Sequence, residues 1–149
     1  MRRFACSLTR NRDDADDLLQ STLARVLERG VPDGADLLRW MFRVCRNLWI
    51  DELRSRTVRG VVGDAVEPAV DGEAVLLGEV AVREVTDAME TLPEEQRALL
   101  SLVAVEGLTY REASEVLEIP IGTVMSRLAR ARAALAAHFS RARASRVER

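Results

Sequence analysis

The residues around position 125 bring hydroxyl, thioether and guanidinium side chains together within about two turns of one predicted helix. They are Thr123, Met125, Ser126, Arg127 and Arg130. A guanidinium can bond O6 and N7 of guanine together, and a hydroxyl can bond either kind of base edge. Arginine also pairs with phosphate oxygens. This set therefore indicates recognition of a nucleic acid.

Two short predicted helices joined by a tight turn position these side chains. Thr109 and Glu112 form a capping box that opens the first helix. The turn contains Pro120, and the second helix is predicted to start near Thr123. The predicted inward residues of the pair are Ala113, Val116, Leu117, Val124, Leu128, Ala131 and Leu135. The pattern is typical of a helix-turn-helix, whose second helix enters the major groove. A plain helical hairpin with a charged outer face is the alternative.

The charge of the chain is unevenly distributed. A net charge of −2 would usually argue against nucleic acid binding. However, residues 39–59 carry six arginines against two acidic residues, and residues 120–149 carry seven against one. Between them, residues 60–95 carry one arginine against ten acidic residues. The two basic blocks are what phosphate-binding surfaces require, although solvated arginine-rich helix faces would give the same pattern.

The composition predicts an all-α protein, because alanine, leucine, arginine and glutamate dominate and strand-like alternation is nearly absent. The helical periodicity is lost over one long stretch of the chain, which is interrupted by Gly60, Gly63, Pro68 and Gly72. We therefore predict two small helical domains, residues 1–56 and 81–149, joined by a flexible linker at residues 57–80 that is mobile in the free protein.

Two long helices are predicted in the first domain. Asp13 and Asp14 open the first of them, which ends before Gly30, and Asp36 caps the second. The inward positions predicted for the first are Ala15, Leu18, Leu19, Thr22, Leu23, Val26 and Leu27. Those predicted for the second are Leu37, Met41, Val44 and Leu48, with Trp40 beside them.

Three stretches of the chain resemble, in the right order, the extracytoplasmic-function (ECF) sigma factors of bacterial RNA polymerase. Residues 13–23, DDADDLLQSTL, resemble region 2.2, and residues 38–54, LRWMFRVCRNLWIDELR, resemble regions 2.3 and 2.4. Leu92-Pro93 with Gln96-Arg97, then EGLTY at 106–110 and GTVMSRL at 122–128, resemble region 4. The resemblance implies a sigma factor that brings core polymerase to promoters and catalyses nothing itself. Family members usually carry a longer first helix before Arg3–Thr9, so we expect part of region 2.1 to be missing.

The resemblance also assigns residues to partners. It implies that the clamp helices of the polymerase β′ subunit contact Asp16, Asp17, Leu18, Gln20 and Leu23, and that the second domain meets the β flap. It implies that the minus-ten element is opened at the loop 30–36 and at Val44, Asn47, Asp51 and Arg54. There an unstacked base would need an apolar wall and polar groups for its pairing edge; the alternative for Asn47 is a solvent-facing helical residue. The minus-thirty-five element would meet Thr123, Met125, Ser126, Arg127 and Arg130. An anti-sigma factor is a further expected partner.

Other functions are less well supported by the sequence. A sigma-like decoy that binds an anti-sigma factor would not need Arg127 and Arg130, and a helix-turn-helix repressor would normally carry a dimerisation or ligand domain. An enzyme is the least favoured, because His138 is the only histidine and no phosphate-binding glycine motif or metal-ligand cluster is present. Cys6 and Cys45 are expected to be free thiols. Without a signal peptide or a long apolar run, a cytoplasmic protein without cofactor or metal is expected.

Overall fold

A computed structural model describes residues 1–60 and 78–147 of the chain. The N-terminal domain consists of α1 (Arg2–Thr9), α2 (Arg12–Arg29) and α3 (Leu37–Val58). The C-terminal domain consists of α4 (Gly78–Glu90), α5 (Glu94–Leu100), a π-helical turn (Ser101–Val105), α6 (Tyr110–Leu117) and α7 (Ile121–Val147). These residues include helices and no strand, which confirms the all-α prediction.

Side-chain caps fix where three of the helices begin. The Asn11 side chain accepts hydrogen bonds from the backbone N–H groups of Asp13 and Asp14, at 2.9 and 3.1 Å, so α2 starts one residue earlier than predicted. Asp36 caps α3 by accepting from the Arg39 N–H at 2.9 Å, as predicted. Both bonds of the predicted capping box at the start of α6 are present. Each cap satisfies backbone donors that a helix leaves unpaired at its first turn.

The N-terminal core forms where α1, α2 and α3 meet. The rings of Phe4 and Phe42 pack edge to face, with centroids 5.2 Å apart and planes at 85°. Ala15, Leu18 and Thr22 of α2 are buried against them, as predicted. The C-terminal half of α2 differs from the prediction, because Leu23 and Leu27 are 43% and 84% exposed.

The inward stripe predicted for α3 was wrong in part, because Leu48 packs against the core as predicted but the start of the stripe does not. Leu37 is 55% exposed, and the buried residues of this helix are Phe42, Cys45 and Trp49. The physical reason is that α3 carries apolar residues on nearly all sides, so helical spacing permits two different stripes. The pairing of Phe42 with Phe4 on another element selects between them, and helical periodicity contains no information about that contact.

The two domains pack against each other through one continuous apolar core. α1 contacts α5 and the π-helical turn, and α3 contacts α6. Arg97 of α5 is buried in this contact and donates hydrogen bonds to the backbone carbonyl oxygens of Ser7 and Leu92. The predicted linker at 57–80 is helical at both ends, since α3 continues to Val58 and α4 begins at Gly78. Flexibility was predicted for the whole linker, and the part of it at residues 61–77 lies outside the described residues.

Cys6 and Cys45 form no disulfide with each other and differ in accessibility, and this difference can be measured. Cys45 is fully buried, and burial raises the pKa of its thiol to about 11, whereas Cys6 is partly exposed. In a Cys6→Ser variant, Cys45 should react with a thiol reagent at neutral pH only as fast as the protein unfolds. The Cys45 thiol ionises at a lower pH in the unfolded chain than in the folded one. The free energy of unfolding should therefore also fall as the pH rises from about 9 to about 11. Rapid modification of native Cys45 would contradict the buried position.

Candidate functional site

The helix-turn-helix is formed by α6, the residues 118–120 and the start of α7. Glu118 ends α6 in the left-handed conformation, with φ 54°, and the Ser114 hydroxyl donates to the carbonyl of Ile119 at 2.6 Å. α7 begins at Ile121, two residues before the predicted Thr123. Six of the predicted inward residues are buried here, and Leu135 is partly buried. They are Ala113, Val116, Leu117, Val124, Leu128 and Ala131.

The outer face of α7 presents part of the predicted set to solvent. Met125 is 55% exposed, and Ser126 and Arg130 are also exposed. Gly122 and Ala129 lie on the same face, so the backbone there is covered by small side chains and can approach a ligand closely. Sequence reasoning missed these two positions, although the spacing i−3 and i+4 from Met125 already indicated them.

The remaining two members of the set lie at the edge of this face. Thr123 is half-buried, and its carbonyl accepts a hydrogen bond from the Ser126 hydroxyl at 3.1 Å. Arg127 is 24% exposed in its side chain and forms an ion pair with Glu95 of α5 at 3.0 Å. The guanidinium of Arg127 is therefore already paired with a carboxylate, whereas Arg130 is exposed.

The residues assigned to the minus-ten element share one face of α3. Val44, Asn47, Asp51 and Arg54 follow each other at three- and four-residue spacing, which places them on one side of the helix. Asn47, Asp51 and Arg54 are exposed and Val44 is half-buried. The Arg54 guanidinium lies 4.0 Å from the Asp51 carboxylate. Both side chains are highly exposed, so this ion pair is weak.

A cavity of about 190 Å³ lies between the two domains, beside the loop that precedes α3. The loop 30–36 contributes its last three residues to the lining, α3 contributes an aromatic ring and two guanidinium groups, and α6 covers one side. The lining residues are Gly34, Ala35, Asp36, Arg39, Trp40, Arg43, Glu115 and Val116. The guanidinium of Arg43 lies 5.7 Å from the centroid of the Trp40 ring. Sequence reasoning did not assign Arg39, Trp40 and Arg43 to a site, because they are placed by contact with the other domain.

Opposite charges line the contact between α3 and the C-terminal domain. Arg39 lies 3.4 Å from the Glu115 carboxylate and 3.9 Å from that of Glu112. Arg43 forms an ion pair with Glu118. Burial lowers the pKa of Arg46, and the nearby carboxylates of Glu118, Glu95 and Glu94 oppose that effect. Burial is also the main cause that raises the pKa of Glu94. The contact is thus polar and only partly dehydrated.

The residues assigned to polymerase binding on α2 divide into exposed and buried ones. Asp17, Gln20 and Leu23 are exposed. Asp16 accepts a hydrogen bond from the Arg2 guanidinium at 2.9 Å, and this bond is the main cause that lowers the pKa of its carboxyl. Leu18 is only 7% exposed and packs in the domain core.

Leu27 is a further exposed residue of α2 that sequence reasoning placed in the core. It lies on the same side of the helix as Asp17 and Gln20. Leu37 and Leu38, at the start of α3, are also large apolar residues with exposed side chains. Exposed apolar residues beside polar ones are a common feature of protein-binding surfaces.

Other kinds of site find little support in residues 1–60 and 78–147. Within these ranges, no group of histidine, cysteine, aspartate and glutamate side chains is arranged to hold a metal ion. His138 is partly buried, and its ring packs edge to face with Phe139 at 5.8 Å. None of the helices in the described part of the chain has the length and apolar character needed to cross a membrane.

Comparison with known proteins agrees with the two-domain division. The family model for Sigma-70 region 2 matches residues 1–59, and that for Sigma-70 region 4 matches residues 82–135. The ECF RNA polymerase sigma factor EcfG of Rhodopseudomonas palustris is 35% identical over 142 residues, which cover 92% of this chain and 77% of that protein. The ECF RNA polymerase sigma factor SigM of Bacillus subtilis is 33% identical over 93% of this chain and 88% of its own length.

Solved structures share the fold across both domains. The sigma factor RpoE of Bartonella quintana, in complex with the anti-sigma factor NepR, superposes with a TM-score of 0.74 at 30% identity. That match covers 93% of this chain and 89% of the RpoE chain. CnrH, in complex with the cytosolic domain of CnrY, gives a TM-score of 0.66 at 22% identity, which is a likeness of fold alone.

Proposed function

The chain belongs to the ECF family of RNA polymerase sigma factors, with a role in transcription initiation, and on that premise we propose which of its surfaces contacts each partner. The outer face of α7 reads the minus-thirty-five element, the exposed face of α3 takes part in opening the minus-ten element, and α2 binds core polymerase. The protein acts through these contacts in the cytoplasm and selects a specialised set of promoters.

The observation that carries the proposal is the free face at the start of α7. Met125, Ser126 and Arg130 are exposed there, beside the small residues Gly122 and Ala129, at the end of the helix that a helix-turn-helix places in the major groove. A guanidinium, a hydroxyl and an apolar side chain together can meet the donors, acceptors and methyl groups of base edges. Arg127 would join them after release from Glu95, and Thr123 would meet the groove edge.

The minus-ten part of the proposal rests on the exposed row on α3. Asn47 offers both a donor and an acceptor to an unstacked base, and the neighbouring Val44 supplies an apolar contact. Asp51 and Arg54 extend the same face. On α2, Asp17 and Gln20 offer polar contacts to polymerase, Leu23 and Leu27 offer apolar ones, and Asp16 contributes charge at the edge. Leu18 supports this surface from the core and does not itself need to be accessible.

An anti-sigma factor is proposed as a further partner. RpoE superposes on this chain across both domains while bound to NepR, so the domain arrangement found here resembles that of a sigma factor held by an inhibitor. The present arrangement leaves α2 exposed but covers one side of α3 with the C-terminal domain. This is the arrangement expected of a chain that is not engaged with promoter DNA.

Run-off transcription tests the proposed function directly. Core polymerase supplemented with this protein should produce specific transcripts from promoters selected out of a randomised library, and core polymerase alone should not. Binding to core polymerase without any transcript would contradict an initiating role. A decoy would bind an anti-sigma factor and leave transcription by core polymerase unchanged, so the same assay separates the two functions.

Replacing Arg130 with alanine should flatten the base preference at one position of the minus-thirty-five element. The loss of one two-pronged arginine–guanine contact should cost about 1–3 kcal/mol of discrimination at that base pair. Arg141→Ala is the matched control, because Arg141 is exposed far along α7 and should affect phosphate contacts only. Sequencing of transcripts from a saturated promoter library measures both. A change of preference in the Arg141 variant and a uniform loss in the Arg130 variant would reverse the assignment.

A further inference from the structure

Two large apolar side chains lie exposed, one turn apart, at the start of α7. Ile121 is 49% exposed and Met125 is 55% exposed. Neither is part of the hydrophobic core, to which α7 contributes Val124 and Leu128 from the same two turns. A separation of four residues makes Ile121 and Met125 neighbours on the helix surface, and we call them the apolar pair. Apolar surface that folding leaves uncovered on this helix is available for contact with a partner.

The charge around the apolar pair favours DNA as that partner. α7 carries six arginines from Ile121 to Val147 and no acidic residue. Arg130 and Arg132, within the two turns that follow Met125, are both exposed, and Arg132 donates a hydrogen bond to the Tyr110 hydroxyl of α6 at 3.2 Å. Arginines beside a helix that enters the major groove can pair with the phosphates that border it. The apolar pair therefore lies where base edges would be met.

The chemistry of the major groove narrows this contact to one kind of base. The base edges there present hydrogen-bond donors and acceptors, and the 5-methyl group of thymine is the large apolar group among them. The side chains of the apolar pair offer no strong hydrogen bond to the polar edges. They gain free energy on binding by removing apolar surface from water. Among the groups in the groove, the methyl group of thymine is the one that allows this gain.

The residue after Met125 fits the partner of thymine in the same base pair. The Ser126 hydroxyl donates a hydrogen bond to the carbonyl of Thr123 at 3.1 Å, so its proton is used within the helix. Its oxygen is left as a hydrogen-bond acceptor on an exposed side chain. Adenine presents its N6 amino group as a donor in the major groove. Met125 and Ser126 can thus meet the two bases of one T·A pair.

Gly122 leaves room for DNA to approach the backbone beside the apolar pair. It is exposed, its backbone is not left-handed, and a Cβ atom at this position would meet no heavy atom of another part of the described structure within 4 Å. Neither backbone conformation nor internal packing therefore requires glycine here, although glycine loses more conformational freedom on folding than any other residue. Close approach by a partner outside the chain accounts for glycine at this position.

We propose that the apolar pair recognises the 5-methyl group of one thymine in the minus-thirty-five element. Met125 makes the contact, and the stiff β-branched side chain of Ile121 restricts the positions that the flexible thioether chain can take. The inference rests on the proposed function in one respect, namely that α7 enters the major groove. It adds that the promoters selected by this chain share a T·A pair, at a position different from the one that depends on Arg130.

Deoxyuridine substitution tests the contact, because uracil differs from thymine only by the missing methyl group. Polymerase holoenzyme formed with this chain is titrated with duplexes of a selected promoter, in which each thymine of the minus-thirty-five element, on either strand, is replaced in turn by deoxyuridine. One replacement should weaken binding about two- to fivefold, as expected for the burial of one methyl group. Fluorescence anisotropy of the labelled duplex measures the ratio of the two dissociation constants.

Variants of Met125 assign the effect to its side chain. Met125→Gln keeps the length of the side chain and removes its apolar character, so thymine and uracil should then bind alike. Met125→Leu stays apolar and should keep the difference. Val82→Gln is the matched control, because Val82 is an apolar residue of α4 that is 50% exposed, and the ratio for thymine and uracil should stay as in the parent.

Gly122→Ala tests the close approach separately. Space and backbone conformation both allow the added methyl group, so the variant should unfold at the same temperature as the parent or at a higher one. It should nevertheless weaken promoter binding, whichever thymine is replaced, because the methyl group lies between α7 and the DNA. Thermal unfolding followed by circular dichroism and the same titration measure the two effects. Promoter binding as tight as that of the parent would contradict the close approach.

The outcomes separate the thymine contact from the proposed function. If base-pair substitutions in the minus-thirty-five element change binding but no deoxyuridine does, the proposed function stands and the thymine contact is overturned. An equal effect of deoxyuridine in the parent and in Met125→Gln would overturn the assignment to Met125. Weaker binding of Met125→Gln to core polymerase, with an unchanged ratio for thymine and uracil, would make the apolar pair a protein contact. If no base-pair substitution in the element matters, the proposed role of α7 fails and the inference fails with it.

Discussion

Replacing Phe42 with alanine should lower the free energy of unfolding by about 3–5 kcal/mol. The Phe42 ring is fully buried and packs edge to face on Phe4, so its removal leaves a cavity in a domain of three helices. A small domain buries a smaller fraction of its surface than a large one and is therefore only marginally stable. A loss of about 3–5 kcal/mol is a large part of the total free energy of unfolding of a typical protein. Chemical denaturation followed by far-ultraviolet circular dichroism measures it.

The matched control for Phe42 lies on the same helix. Leu37→Ala removes an apolar side chain that is more than half exposed, and it should change stability by no more than about 0.5 kcal/mol. The pair of variants thus tests which stripe of α3 faces the core. Equal losses in the two variants would favour the stripe expected from helical spacing over the observed one.

Reversing the charge of Asp17 should weaken binding to core RNA polymerase by at least about tenfold. Asp17 is exposed on α2, so the variant Asp17→Arg should fold normally and place a positive charge on the proposed polymerase-binding surface. The substitution removes a contact that attracts polymerase and adds a charge that repels it, and both changes lower affinity. Loss of the attractive contact lowers affinity most where the interface excludes water. Titration of immobilised core polymerase with the two proteins compares their dissociation constants.

Asp87→Arg provides the control for the effect of net charge. It makes the same change of charge at an exposed position of α4, in the other domain, and should leave the affinity for core polymerase within about a factor of two. If Asp17→Arg binds as tightly as the parent while its helicity is preserved, α2 loses its proposed role. If both variants weaken binding alike, the interaction responds to total charge and not to this surface.

Local features of the fold were predictable from the sequence because their causes are local. The cap at Asp36 and the capping box at Thr109 and Glu112 each involve residues within one turn, and both are present as expected. The inward residues of α6 and of the start of α7 were also predicted correctly, since polar residues on the outer face leave only one apolar stripe. The order of the helices and the division into two domains follow from the same signals.

Features that depend on contacts between helices distant in the sequence were not predictable in this way. Leu18 and Leu27 both fit a helical stripe, yet only Leu18 finds partners in the core. Arg127 was expected at the base edges, and its ion pair with Glu95 depends on how α5 packs beside α7. Arg39 and Arg43 belong to the basic block 39–59, which the sequence indicates is either a phosphate-binding surface or a solvated helix face. The carboxylates that they face are more than 70 residues away.

The π-helical turn at Ser101–Val105 lets this segment tolerate the loss of one residue. A π-turn holds one residue more than an α-turn, so it absorbs an extra residue without changing the direction in which the following chain leaves the helix. Deleting the exposed Ala104 would therefore convert the π-turn into a regular α-turn and leave Glu112 and Glu115 facing α3. A residue inserted in the regular part of α5 would instead rotate everything that follows by about 100°. Sequences that diverge from this one should therefore keep the length of α5 but can lack one residue between Ser101 and Val105.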